Sequence, residues 1–262
     1  MRREKMLARG LAVLCMSALL VGCGSSGGAT SKVEGAVAGD EAATLVMATN
    51  ATFPPYEYVE NNEYEGIDIE IAQAIADELG LELVIEDVEF GSIIAGVESG
   101  KFDMGMAGMT VTEERLQSVN FSDTYATAVQ SVIVPEGSAI ASIDDITADM
   151  KIGVQQDTTG DIYASDDYGD AVVRYKNGAD AVQALVTGKV DCVIIDNEPA
   201  KAYVAANEGL VILDSAYAEE EYAICIAKDN EELLADINGA LAKLKEDGTI
   251  DAIVSKYIPA ED

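Results

Sequence analysis

The sequence predicts an α/β fold with two lobes around a cleft. Strand-like apolar runs alternate with amphipathic helix patterns along about 220 residues, which is the size of one large domain or two small ones. This alternation is typical of parallel β-α-β units. It pauses after Pro135 and then starts again, so we expect two units, and we expect the last helices to return to the first. Two segments would then cross between the lobes, and clefts of this kind are favoured ligand sites.

The first unit contains the clearest helix pattern. Ile71, Ile75 and Leu79 recur every four residues, which predicts an amphipathic helix that ends at Gly80. Around this helix we predict further elements: strands over residues 44–48, 81–85 and 104–107, and a short helix over residues 92–99 with Ser92 as its N-cap.

The second unit repeats the same order of elements. Its predicted strands cover residues 151–154, 190–195 and 210–213, and its predicted helices cover residues 180–187 and 199–207. A strand over 221–228 then precedes a helix over 231–247 and a short helix around Ile250. We therefore expect residues 44–125 and 222–262 to form lobe 1 and residues 126–221 to form lobe 2.

The N-terminus is typical of an exported protein. Residues 1–22 place basic side chains ahead of an apolar run that is too short to span a bilayer, as in a signal peptide. The run ends Leu-Val-Gly-Cys, which resembles a bacterial lipobox, so Cys23 is the expected lipidation site and would anchor the chain to a membrane. The alternative is an ordinary signal peptide with an incidental cysteine. The small residues of 23–43 are expected to form a flexible tether.

Composition excludes several functions. The formal net charge is −32 at pH 7, which excludes nucleic acid as a partner on electrostatic grounds. The chain has no histidine, so Ser-His-Asp and Cys-His catalysis and the common histidine-containing zinc sites are impossible. Cys192 and Cys225 lie in apolar strand-like runs, and we expect two buried free thiols rather than a disulfide.

The segment Gly108 to Arg115, with the sequence GMTVTEER, has the chemistry of an anion clamp. It follows the apolar run 104–107, so a glycine at the end of a buried strand lets a ligand approach the backbone. The segment then supplies two hydroxyls and a guanidinium, whose planar set of donors matches a carboxylate. The alternative is an exposed arginine paired with Glu113 or Glu114, which is a common and weak arrangement.

Several motifs, in order, resemble the polar amino-acid family of bacterial extracellular solute-binding proteins, family 3. The resemblance covers residues 44–257 and implies the two-lobe, type II periplasmic-binding fold. It also implies an amino acid as ligand, an ABC transporter permease as partner, no cofactor or metal ion, and a monomer held at the extracellular face of the cytoplasmic membrane. The motifs are ATNATFPPY at 48–56, GIDIEI at 66–71, EFGSII at 89–94, GMTVTEER at 108–115, NFSD at 120–123 and DCVIID at 191–196.

The resemblance also implies roles for individual residues. Arg115 matches the arginine that binds the ligand's α-carboxylate, and Asp196 matches the carboxylate that receives the α-ammonium from the other lobe. The alternative for Asp196 is a helix N-cap before Pro199, and Phe53 and Phe90 could equally be ordinary core residues. The other positions implied to contact the ligand are Asn50, Phe53, Phe90, Gly108, Met109, Thr110, Gln155 and Thr159.

Asn50 bears on the choice of ligand. It stands where relatives that select cationic or amide ligands often have aspartate, so a charge is missing and lysine or arginine is disfavoured. A neutral polar amino acid is therefore expected, with glutamine, cystine and histidine all plausible. Acidic neighbours such as Glu57 could compensate for the missing charge.

An enzyme is the main rival interpretation, because periplasmic cyclohexadienyl or arogenate dehydratases resemble these binding proteins. Such an enzyme needs a carboxylic acid in the cleft as proton donor, and Glu57 or Asp157 could serve. A complete amino-acid clamp and a lipobox favour transport, so we expect no enzymatic activity. A sensor domain is a weaker rival because no signalling domain follows, and a purely adhesive lipoprotein is the third.

Overall fold

The structure is a computed structural model that describes residues 43–214 and 216–259. Among these residues, no helix is long and apolar enough to cross a membrane. The predicted signal peptide, the lipidation site Cys23 and the predicted tether as far as residue 42 lie outside the described residues.

Strands of the described residues form two mixed sheets and one small antiparallel sheet. In chain order they are β1 (Thr44–Thr49), β2 (Thr52–Phe53), β3 (Glu57–Glu60), β4 (Glu63–Glu65), β5 (Glu82–Asp87), β6 (Met104–Gly105), β7 (Val119–Phe121), β8 (Ala126–Pro135), β9 (Ile152–Gln155), β10 (Val172–Tyr175), β11 (Cys192–Asp196), β12 (Leu210–Ile212), β13 (Ala218–Tyr222) and β14 (Cys225–Ala227).

Helices cover the sheets. In chain order they are α1 (Ile67–Leu79), α2 (Ile93–Glu98), α3 (Arg115–Ser118), α4 (Thr159–Tyr168), α5 (Gly178–Val186), α6 (Asn197–Ala206), α7 (Glu231–Glu246) and α8 (Thr249–Tyr257).

The first sheet has the order β5-β1-β6-β14-β7. Strand β1 pairs in parallel with β5 and β6, and β14 pairs antiparallel with β6 and β7. Helix α1 packs its buried stripe, which includes Ile71 and Ile75, into the same apolar core as Ile237 and Leu241 of α7. Helices α7 and α8 both contact α1, so the last two helices pack with the first unit.

The second sheet has the order β10-β9-β11-β8-β12, and β13 also pairs with β8. Strands β9, β10 and β11 are parallel, but β8 is antiparallel to β11, β12 and β13. The predicted parallel arrangement is therefore confirmed for β9, β10 and β11, and β8 adds antiparallel pairings to the sheet. Because β8 is ten residues long, it has room to pair with β12 and β13 at different places along one edge.

The chain passes between the two sheets twice. It leaves the first sheet after β7 and enters the second at β8, and it returns between β13 and β14. We infer that the lobes meet at these two crossings. Two adjacent crossings form a hinge, since only a few backbone angles must change for the lobes to move.

Some local predictions need correction. The helix expected over 92–99 is a 3-10 turn, Phe90–Ser92, followed by α2, and Ser92 makes no capping hydrogen bond because it already has helical backbone angles. The β3–β4 hairpin, α4 and β10 had not been predicted. Cys192 and Cys225 are free and buried, as expected.

Candidate ligand-binding site

A cavity of about 10 Å³ lies between the two sheets, large enough for about one water molecule. Its walls include every residue implied by the sequence to contact the ligand except Met109. From the first lobe they are Asn50, Phe53, Glu57, Phe90, Ala107, Gly108, Thr110 and Arg115, and from the second lobe they are Gln155, Thr158, Thr159 and Asp196.

Arg115 is the cation of the cavity. It begins α3 and is only 7% exposed, which rules out the exposed ion pair considered as an alternative. One guanidinium nitrogen, Nη1, donates to the Thr110 carbonyl at 2.8 Å, and Nη2 donates across the cleft to the Asp157 carbonyl at 3.1 Å. The guanidinium also lies 5.2 Å from the centre of the Phe90 ring. Burial lowers the pKa of Arg115, and the carboxylate of Glu220 opposes this effect.

Gly108 lies where the backbone must come close to the cavity. Its φ is +51°, and an added Cβ would lie 3.0 Å from the Phe53 ring, so a larger residue would meet both strain and crowding. Its N–H donates to Asp68 Oδ2 at 2.8 Å, which leaves the carbonyl as the backbone group available to a ligand. The next residue, Met109, is fully buried in the apolar core and does not line the cavity.

Asp196 ends β11 on the opposite side of the cavity. It occupies the N-cap position of α6, but its side chain makes no capping bond. Its carboxylate instead accepts hydrogen bonds from Gln130 Nε2 at 2.9 Å and from the Tyr222 hydroxyl. Burial, and then the nearby carboxylate of Glu220, raise the pKa of Asp196 to about 7. The N-cap alternative therefore does not describe this side chain.

The two lobes touch directly beside the cavity. Gln155 Nε2 donates to Asn50 Oδ1 at 3.0 Å, and the Tyr203 hydroxyl donates to the Thr52 carbonyl at 2.6 Å. The remaining second-lobe residue of the prediction, Thr159, is the first residue of α4, and its hydroxyl accepts a long bond of 3.4 Å from Gln130. The described conformation is consequently closed.

Glu57 is a wall residue that the sequence did not assign to ligand binding. It is 1% exposed, and its Oε2 has no hydrogen-bond partner among the described residues. Burial, followed by the charge of Asp68 and a hydrogen bond between the two carboxyls, raises the pKa of Glu57 well above its ordinary value. Burial also raises the pKa of Asp68, to about 6. In the sequence, Glu57 follows Pro-Pro-Tyr, a segment expected to turn tightly, which was the available signal for this residue. On sequence grounds, its carboxyl was considered only as a possible proton donor or compensating acid.

Gln130 and Glu220 form a layer behind the wall and were also missed. Gln130 Nε2 donates to Glu220 Oε2 at 3.0 Å, and the Thr110 hydroxyl donates to the same oxygen at 3.1 Å. A signal existed for Gln130, which interrupts an apolar strand. None existed for Glu220, because its neighbours Glu219 and Glu221 are also glutamates and only the pleat of β13 directs the middle one inward.

The arrangement can hold a small zwitterion, since a buried guanidinium on one lobe faces a buried carboxylate on the other. Together with two α/β lobes joined by two crossings, it defines the class of two-lobe binding proteins with the periplasmic-binding fold. Residues 45–260 match the family described as bacterial extracellular solute-binding proteins, family 3, and the chain belongs to that family.

Two similar proteins are amino-acid-binding proteins of Bacillus subtilis. The chain is 32% identical over 257 residues to the arginine-binding extracellular protein ArtP of Bacillus subtilis, covering 96% of this chain and 97% of that one. It is 31% identical over 272 residues to the ABC transporter glutamine-binding protein GlnH of the same species, covering 98% and 100%.

Among solved structures, an ancestral arginine-binding protein bound to glutamine is similar, with a TM-score of 0.79 and 39% identity over 83% of this chain and 98% of that one. These relatives are binding proteins rather than enzymes, so the chain is a solute-binding protein and the dehydratase alternative is set aside.

Proposed function

We propose that this chain is the lipid-anchored substrate-binding component of an amino-acid ABC importer. The observation that carries the proposal is the position of Arg115 and Asp196 on opposite sides of one buried cavity. The names of the relatives support an amino acid as the ligand. The protein would act as a monomer at the extracellular face of the cytoplasmic membrane, attached through Cys23, and would deliver its ligand to a permease.

The α-carboxylate of the ligand binds Arg115, which has further N–H donors besides the two that bond to carbonyls. The α-ammonium binds Asp196, with the Gly108 carbonyl and the Thr110 hydroxyl nearby. Because a cavity of about 10 Å³ has no room for an amino acid, the lobes must separate to admit it. The ligand then favours closure because it joins groups of both lobes.

The ligand side chain points to the part of the cavity lined by Asn50, Gln155 and Glu57. We favour a neutral polar side chain that donates hydrogen bonds, such as that of glutamine, because burial raises the pKa of Glu57 well above its ordinary value and so disfavours its charged form. A cationic side chain is the second candidate, since Glu57 Oε2 lacks a partner and could ionise beside a cation.

Calorimetric titration of the purified protein with the common amino acids and cystine tests the function. We expect one or a few amino acids to bind, and replacing Arg115→Ala to remove about 1.5 to 3 kcal/mol of binding energy, or roughly 10- to 150-fold in affinity. Arg174→Ala is the matched control, because Arg174 pairs with Asp161 outside the cavity. Absence of binding by every amino acid, or wild-type affinity in Arg115→Ala, would contradict the proposal.

The same titration of Glu57→Gln separates the two ligand classes. A neutral ligand loses one neutral hydrogen bond, about 0.5 to 1.5 kcal/mol, whereas a cationic ligand loses a charged one, about 1.5 to 3 kcal/mol.

For the anchor, Cys23→Ser should move the protein from the membrane fraction to the medium or periplasm. A variant that stays in the membrane fraction would refute lipidation at Cys23.

A further inference from the structure

Two buried carboxylates share one donor beside the cleft. Gln130 Nε2 donates to Asp196 Oδ2 at 2.9 Å and to Glu220 Oε2 at 3.0 Å. All three side chains are at most 7% exposed. Asp196 lines the ligand cavity, whereas Glu220 lies behind it and beside a groove on the outer side of β13. The amide of Gln130 therefore links the two acids, and each acid accepts one further hydrogen bond, from Tyr222 and from Thr110 respectively.

Glu220 also contacts the other lobe. Its Oε2 accepts the hydroxyl of Thr110, a wall residue of the first lobe, while its Oε1 is without a hydrogen-bond partner among the described side chains. Glu220 is thus connected to both sides of the cavity, through Thr110 on one lobe and through Gln130 on the other.

The surroundings of the pair provide little positive charge. Arg115 is the cation that faces both acids, and it is needed for the α-carboxylate of the ligand. The other titratable groups that face the pair are the phenols Tyr56, Tyr163 and Tyr222 and the carboxyl of Glu57. Like charges at one buried site disfavour the state in which both are ionised.

We propose that Asp196 and Glu220 act as one acidic pair, which holds a proton in the ligand-free protein and releases it when the α-ammonium of the ligand binds. Glu220 is then a positioning residue that sets the protonation of Asp196 without touching the ligand. The proposal rests on the proposed function, since it requires an amino acid with a free ammonium group. The raised pKa of Asp196 agrees with the geometry.

Proton release can be counted directly. Calorimetric titrations with the best-binding amino acid, in buffers of different ionisation enthalpy, give the number of protons released at each pH. In the wild type we expect release approaching one proton at pH 6, little release at pH 8.5, and an affinity that falls by up to about tenfold for each pH unit below 7. Glu220→Gln should lose at least half of the release at pH 6 and bind more tightly than the wild type there.

Two further variants make the result specific. Glu221→Gln removes an exposed charge from the same strand and should match the wild type in both quantities. Glu57→Gln removes another buried acid whose pKa is raised, and with a neutral ligand this variant should retain the proton release. Circular dichroism and thermal unfolding would confirm that each variant is folded.

The outcomes separate the proposal from its premise. No proton release by the wild type, or release that is lost in Glu57→Gln and retained in Glu220→Gln, overturns the role of the pair while amino-acid binding stands. Failure of every amino acid to bind even at pH 8.5, well above the raised pKa of Asp196, overturns the proposed function itself.

Discussion

Buried carboxyl groups around the cleft make the stability of the folded protein depend on pH. Burial raises the pKa of Glu57, of Asp68 to about 6 and of Asp196 to about 7. Between the ordinary carboxyl range, about 4, and these raised values, the folded protein binds more protons than the unfolded chain. The stability that these groups contribute is therefore complete at low pH and is lost as the pH rises through the raised values.

Glu57→Gln should reduce this pH dependence. The amide keeps the shape of the protonated carboxyl but cannot ionise, so the loss of stability between pH 4.5 and pH 7.5 should be smaller than in the wild type. The melting temperatures should agree near pH 4.5, and that of the variant should be higher at pH 7.5 in scanning calorimetry without ligand. Glu63→Gln, on the exposed strand β4, is the control and should follow the wild type. Parallel curves for Glu57→Gln and the wild type would contradict the buried-acid account.

At the residue scale, the sequence predicted the groups whose neighbours form a motif. Arg115 and Asp196 lie at the ends of recognisable segments, and the structure brings both to one cavity. Glu220 was missed because a glutamate in an acidic chain carries no sign of burial, and Glu57 was considered only as a possible proton donor or compensating acid. Whether a side chain in a short strand points inward depends on register, which is decided by pairing partners distant in sequence.

Replacing a glycine should have opposite effects on stability in helices α2 and α7. Gly96 is buried in α2, and an added Cβ would lie 2.2 Å from Cε2 of Phe102. Gly239 is exposed in α7, and an added Cβ would meet nothing within 4 Å apart from the helix's own backbone. Crowding therefore opposes a larger residue at Gly96, while Gly239 adds only chain entropy to the unfolded state.

Gly96→Ala should destabilise the protein by about 1 to 3 kcal/mol, as overpacking does. Gly239→Ala should stabilise it by about 0.5 to 1 kcal/mol, because alanine favours the helix. Denaturant unfolding followed by circular dichroism measures both. Each variant serves as the other's control, and changes of the same sign would show that the two helices are not packed as described.

At the element scale, apolar spacing was a reliable guide where a helix packs one side on a sheet. Helices α1 and α7 were predicted in this way, and the glycine C-cap of α1 was correct. Helix α4, with the sequence TGDIYASDDY, was missed because it lacks an apolar stripe. The antiparallel direction of β8 was missed because an apolar run does not reveal the direction of its partners.

The charge of the whole molecule acts on stability independently of the cleft. A formal net charge of −32 places many like charges on one chain, and their repulsion opposes the compact state. The described salt bridges pair only a few of these acids, and most of those bridges are exposed.

Added salt should therefore stabilise the protein. Raising sodium chloride from about 0.01 M to 0.15 M shortens the screening length from about 30 Å to 8 Å, and the melting temperature should rise. Potassium chloride at equal ionic strength should have the same effect, because the cause is screening rather than a bound ion. A melting temperature that stays constant or falls would contradict this.

The two-lobe architecture was predictable because the strand and helix pattern starts twice. The closed conformation was not, since it depends on contacts such as Gln155 with Asn50 and Tyr203 with the Thr52 carbonyl, which join residues more than a hundred positions apart. The small cavity follows from these contacts. Closure around a ligand is consequently a property of the whole molecule rather than of any one motif.

A crystal structure of the protein with its best-binding amino acid tests the central claim most directly. The account predicts the ligand in the cavity between the lobes, with its α-carboxylate hydrogen-bonded to the Arg115 guanidinium and its α-ammonium to Asp196. A ligand bound in the reverse orientation would contradict the account. So would a ligand bound elsewhere, for example in the cavity of about 630 Å³ that α8 forms beside the crossing at Tyr125.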